Sequence, residues 1–174
     1  LAYFLLGKEP SRVMAEFSNF STYTGVVDNI MMWLEYDDGM KGSFWMSKAA
    51  LGNRNSLKLR LYGDKGSAEW EHMKPEELRI FHNDGTCLTI DRASKTFICG
   101  ESRYNRYVAG HPSGFLEAFA NLYSDIADAL IEYRKTGKQE NPYVFGLEHS
   151  VRGLKLFTAA RISNHERCWK EVNK

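Results

Sequence analysis

Through the first half of the chain, apolar and polar residues alternate at every second position. After residue 110 the period lengthens to that of a helix. VMAEF at 13–17 alternates as a half-buried strand does. VVDNIMMWLEY at 26–36 is apolar at successive positions in its second half, which predicts a central strand covered on both faces. Asp37-Asp38-Gly39 supplies hairpin chemistry, and MKGSFWMS at 40–47 returns beside it. LKLRLY at 57–62 puts Leu57, Leu59 and Leu61 on one face; the GDKG turn at 63–66 leads into SAEWE. ELRIF and TCLTI flank a further turn at Asn83-Asp84-Gly85. This is a meander of antiparallel pairs, with little chain to spare for crossover helices. The segment 92–110 has no clear period and is expected to be mostly loop, with room for one strand.

From there Phe115, Phe119, Leu122, Ile126, Ala129 and Tyr133 recur alternately four and three apart, one stripe along a long helix. Its length suits a helix laid across a sheet face, and GKQENP at 137–142 ends it. A second helix is predicted over about 145–164. LAYFLLG at the start reads as the end of a helix, capped by Gly7 and stopped by Pro10. The fold class that follows is α+β: a large, open, mainly antiparallel sheet with helices packed on one face, forming a single domain over 1–174. Helices cover one face only. Met31, Trp33 and Trp45 fall on the registers opposite to Met32, Leu34 and Phe44, so a second subunit or domain is expected on the other.

Composition narrows the classes. With 23 basic and 22 acidic side chains the net charge is +1, which offers no footprint for nucleic acid or an anionic membrane. The longest apolar run, IMMWL, is far short of a bilayer span, and no signal peptide is visible. Three widely spaced cysteines, Cys87, Cys99 and Cys168, do not suggest a disulfide framework and favour a reducing, cytoplasmic setting.

The familiar catalytic motifs are missing. There is no GxGxxG after a strand, no GxxxxGK[ST], HExxH, CxxC or GxSxG. His165 and Cys168 have no neighbours in sequence to complete a metal site, and Cys87 has no adjacent activator. Glu76-Glu77 and Asp37-Asp38 read as solvated turns. What remains are polar residues bunched in loops. Ser47, Lys48, Asn53, Arg54 and Asn55 surround Gly52 between two strands. Arg103, Tyr104, Asn105, Arg106, Tyr107 and His111 lie just before the long helix. Such donors and flat rings suit hydroxyl-rich ligands; surface loop polarity accounts for them equally well. His111 stands where the helix begins, with Pro112 near the first helical position. The helix dipole there favours a neutral imidazole, which can still hydrogen-bond a substrate hydroxyl.

Three stretches carry a family resemblance. FWMSKAALGNRNSLKLRLYGDKGSAEWE resembles the sheet region of the Gfo/Idh/MocA oxidoreductases, the glucose–fructose oxidoreductase and inositol dehydrogenase family, where YGxxGSxEW recurs. AGHPSGFLEAFANLYSDIADAL resembles that family's long helix, GHPxGYxEAFAN. LAYFLLGKEPSRVMA resembles its step from a helix into the first strand of the C-terminal domain. The resemblance implies the substrate-binding and oligomerisation half of an NAD- or NADP-dependent sugar or polyol dehydrogenase. Its Rossmann half, EKP-type lysine and DxGxH pair are expected before Leu1. On this reading the chain alone is inactive and holds no catalytic, cofactor-binding or metal-binding residue. His111, Asn53, Ser47 and Arg106 are expected to reach or border the substrate as hydrogen-bond donors and orienters rather than as proton carriers. The open sheet face is expected to form a homo-oligomer. A stand-alone, cofactor-free binding or scaffold module is the alternative, and a ligand-binding regulator a third reading. The lack of a DNA-binding helix pair or basic stripe argues against direct DNA contact.

Overall fold

The computed structural model describes residues 1–23, 25–94, 102 and 104–173. Cys99, Arg103 and most of the aperiodic 92–110 segment's first half lie outside them. The fold is α+β with open antiparallel sheets, as the sequence pattern predicts. Its strands divide into two four-stranded sheets, in two compact units: Leu1–Gly52 with Phe145–Lys174, and Asn53–Val144. The division falls at 48–57, where the chain turns through Gly52 at φ 84° and Asn55 at φ 36°. That link is not a tight hairpin, so the strands flanking it do not pair.

In the first unit α1 (Ala2–Leu6) ends at Gly7, whose left-handed φ of 63° lets its N–H close on the Tyr3 carbonyl. The strands β1 (Arg12–Ser18), β2 (Asn29–Glu35) and β3 (Lys41–Ser47) form a meander, with the short β8 (Lys170–Glu171) on the outer side of β1. Register sets the faces. Val13 lies opposite Leu34, and Ala15 opposite Met32, which in turn faces Phe44. These side chains bury against Ala159 and Ala160 of α3 (Leu147–Glu166). The other face carries Met31, Trp33 and Trp45, exposed by 40%, 45% and 64%. Asn29 holds the Trp45 indole N–H at 2.8 Å, which fixes that ring upright on the sheet.

Small side chains let α3 come close. Ala160 and Ser163 are fully buried. Beyond Val13 the strand β1 has no ladder partner on the β8 side. Its next two inward N–H groups are taken by the helix instead: Ala15 donates to Ser163 Oγ at 3.0 Å, and Phe17 to Asn164 Oδ1 at 2.8 Å. Ser163 Oγ donates in turn to the Cys168 carbonyl at 2.7 Å, after Arg167 has ended the helix at φ 56°. Buried backbone groups left without partners cost more than the bonds they form, so this edge is closed rather than exposed.

In the second unit β4 (Lys58–Tyr62), β5 (Gly66–Glu71), β6 (Leu78–His82) and β7 (Cys87–Ile90) form an unbroken meander. Leu59, Trp70, Leu78 and Ile90 line up across it on one face. On the other, Glu69 lies between Arg60 and Arg79, at 3.2 and 3.7 Å. The long helix is α2 (Phe115–Thr136), ended by Gly137 at φ 75°. Its buried positions are Asp125 and Ala129. Much of the apolar stripe, Phe115, Phe119, Leu122 and Tyr133 among it, stays exposed.

Two substitutions test this packing. Ser163→Ala leaves the Ala15 N–H and the Cys168 carbonyl without their partner, and is expected to lower stability by about 1–3 kcal/mol. A urea titration reads this as a lower midpoint at unchanged slope. Gly66→Ala would place a Cβ 2.3 Å from the Phe81 carbonyl oxygen across the β5–β6 ladder. It is expected to cost at least about 2 kcal/mol, seen as a lower Tm.

Candidate functional site

The polar cluster is organised by Arg92, which follows β7. Its guanidinium is only 12% exposed and pairs with Glu76 through Nε. Nη1 donates to Asn105 Oδ1 at 3.3 Å and to the Tyr107 carbonyl at 3.2 Å; Nη2 donates to the His111 carbonyl at 2.6 Å. Asn105 Nδ2 donates back to the Arg92 carbonyl at 3.4 Å. A planar fork with five donors can hold several acceptors at once, so this one side chain gathers a loop that has no periodic structure of its own.

His111 sits at the end of that loop, exposed, in a turn closed by its N–H on the Val108 carbonyl at 3.1 Å. Its Nδ1 lies 3.1 Å from the same oxygen. A carbonyl can only accept, so this contact is a hydrogen bond in the form that carries its proton on Nδ1. The start of α2 follows. Gly114 has no side chain to cap the helix, so only the return half of a capping box exists: Glu117 accepts the Gly114 N–H at 2.8 Å. That N–H, then Glu117's own N–H, and the positive charge of Arg92 hold the Glu117 carboxyl below its usual range.

Next to this turn lies a cleft of about 330 Å³, lined by Arg92, Tyr104, Arg106, Tyr107, Glu117 and Asn121 among others. Arg106 donates to Ser124 Oγ at 2.9 Å. The Tyr104 hydroxyl reaches the buried Asp125 at 3.1 Å, and its ring meets Tyr143 edge-on. Two aromatic rings, an amide, a carboxylate and guanidinium edges around a small volume offer both stacking faces and hydrogen-bonding groups.

The structure treats the sequence-derived candidates unequally. Arg106 lines the cleft; His111 does not line it and closes the turn beside it. Asn53 lies on an exposed loop before β4 and does not line the cleft. Ser47 ends β3 in the other unit, where its Oγ accepts the Ala49 N–H at 3.2 Å. Sequence reading missed Arg92 and Glu76. Glu76, expected in a solvated turn, is the counter-ion of a nearly buried guanidinium. Neither carried a signal, because the two are joined only by the fold. Glu117 did carry one, three residues after Gly114 at a helix start. Among the described residues no group of His, Cys, Asp and Glu is arranged to hold a metal ion. Nor is any described helix long and apolar enough to cross a membrane.

The fold defines the class: an α+β domain built on open antiparallel sheets. Residues 1–69 match the family described as GFO/IDH/MocA C-terminal domain. The chain is similar to the uncharacterized oxidoreductase YfiI of Bacillus subtilis, 27% identical over 83% of this chain and 37% of that protein. It superimposes on an oxidoreductase from Sinorhizobium meliloti with a TM-score of 0.85 and 28% identity, covering 96% of this chain and 48% of the other. An inositol dehydrogenase homolog from Azotobacter vinelandii, complexed with NADH and myo-inositol, shares the fold. It has a TM-score of 0.86 at 23% identity, over 98% of this chain and 46% of that one. These likenesses tie the first 69 residues to that family's C-terminal domain and the fold of the whole chain to that of solved oxidoreductases. The chain spans about half the length of the solved relatives.

Glu117 gives the turn a pH signature. A carboxylate whose value is depressed in the folded protein stabilises it above the unfolded value and loses that contribution as pH falls through the folded one. Amide protection factors at 114–118, taken relative to the intrinsic exchange rate at each pH, are therefore expected to fall as pH drops below 4.5, the reference value for a glutamate. In Glu117→Gln the same amides should exchange without that dependence.

Proposed function

We propose that the chain works as one domain, the substrate-binding and oligomerisation half of an NAD- or NADP-dependent sugar or polyol dehydrogenase, and that it is inactive by itself. The observation that carries this reading is the loop at 105–111, held by Arg92 beside a cleft of tyrosine rings and hydrogen-bonding groups. The bound myo-inositol and NADH of the inositol dehydrogenase homolog support the substrate class and the cofactor. The arrangement of the described glycines supports placing the dinucleotide elsewhere. The described positive-φ glycines lie in hairpins, loop turns and helix caps, and none forms a glycine-rich turn between a strand and a helix N-terminus. The cofactor is assigned to another part of a longer protein. In the whole reaction a hydroxyl is oxidised to a ketone, or the reverse. His111 and Arg106 orient the substrate, with Asn53 and Ser47 as outlying contributors. Free thiols at Cys87 and Cys168 support a cytoplasmic setting.

Oligomerisation is assigned to the sheet face bearing Met31, Trp33 and Trp45, where exposed large rings are hard to reconcile with a lasting contact with water. Trp45→Glu is expected to shift the sedimentation coefficient to that of a monomer; a variant that sediments like the parent overturns the assignment. Activity is tested on the protein carrying this chain with NAD+ or NADP+ and a panel of polyols including myo-inositol. His111→Ala should lower kcat/KM by about tenfold or more, equal to about 1.4 kcal/mol of lost transition-state binding. An unchanged value removes His111 from the site.

A further inference from the structure

We propose that Arg92 is a positioning residue for the substrate: by gripping the loop at 105–111 it fixes the His111 ring as the Nδ1–H tautomer, so that Nε2 accepts a hydrogen bond from a substrate hydroxyl. This rests on the reading of that loop as the substrate side, and it specifies which form of the substrate the loop selects. An imidazole nitrogen with a lone pair binds an O–H donor. It does not bind a ketone oxygen, which has no proton to give. The arrangement therefore selects a hydroxyl, not a carbonyl, at the position facing Nε2.

The argument is geometric. Three of Arg92's partners, Asn105 Oδ1 and the carbonyls of Tyr107 and His111, come from the one loop. Two of them flank Val108, whose carbonyl takes both the backbone N–H and Nδ1 of His111. Holding the carbonyls at 107 and 111 holds the turn between them, and with it the acceptor that sets the tautomer. Glu76 neutralises the guanidinium in a place with little solvent. A lysine could keep the pairing with Glu76, but its ammonium is a point charge that cannot span acceptors on both sides of the turn.

The test is spectroscopic and does not depend on turnover. In uniformly 15N-labelled protein, the two ring-nitrogen shifts of His111 are compared among the wild type, Arg92→Ala and Arg92→Lys. The wild type is expected to show the Nδ1–H tautomer. Both variants are expected to move towards Nε2–H, and to lose amide protection at 105–111. Added N-ethylguanidinium should restore the Nδ1–H signature in Arg92→Ala. A merely structural role would not give that rescue. If Arg92→Ala does not fold, Arg92→Lys carries the comparison alone. Unchanged ring shifts in a folded variant overturn the role of Arg92, whatever the ligand data. A separate titration with myo-inositol is expected to show binding to the wild type weakened about five- to tenfold in Arg92→Lys. Equal binding by the two overturns the positioning role. No binding by either, with the tautomer change present, overturns the polyol reading while the hold of Arg92 on His111 stands.

Discussion

The first unit depends on how close α3 comes to the edge of β1. Ala159, Ala160 and Ser163 give the helix a face with almost no side-chain bulk, so the backbone of the strand meets the helix directly. Ser163 then acts as a substitute strand neighbour, accepting from Ala15 and donating to Cys168. The consequence reaches across the sheet. Register places Met32 and Leu34 under the helix, and the same alternation forces Met31 and Trp33 onto the opposite face. The exposed aromatic surface is the unavoidable complement of the buried one.

The second unit solves a different problem. Its sheet is a plain meander, while the segment before α2 has neither a strand's ladder nor a helix's repeating bonds. Order is imposed from outside the segment, by a side chain at 92 that reaches forward to 105, 107 and 111 and back to 76. A charged group so enclosed is costly unless every donor is used. Here Glu76 pairs with it, and with Asn105, Tyr107 and His111 it takes up four of the five N–H groups. The start of α2 is tied into the same arrangement, since Glu117 serves the Gly114 N–H and feels the charge of Arg92.

Most of the fold was legible from local pattern, because alternation and the spacing of four and three report faces directly. The strands at 13–17, 40–47 and 57–62 form where their alternation places them, and the helix stripe at 115–133 lies within α2. The division into two sheets was not legible. It turns on the backbone at Gly52 and Asn55, and composition says only that a loop is there. Of the candidate site, the polar loop itself could be picked out, because a run of donors abutting a strong helix is visible in one dimension; Arg106 lines the cleft and His111 lies beside it without lining it. Asn53 and Ser47 were chosen by the same local reasoning and lie on an exposed loop and in the other unit. The organiser, Arg92, was invisible for the opposite reason. Its partners are spread over 76–111, and a single arginine after a strand resembles any surface cation.

The grip of Arg92 on the loop falls mainly on main-chain carbonyls. At 107 and 111 it holds oxygens that every amino acid possesses. The course of the loop is thus largely independent of which side chains it displays. Residues at 106 and 107 can be exchanged through descent, or by an engineer, to suit ligands of different shape without loosening the frame that presents them. Exchanges at 92 or 76 have no such freedom. The loop behaves as a fixed mount with replaceable fittings.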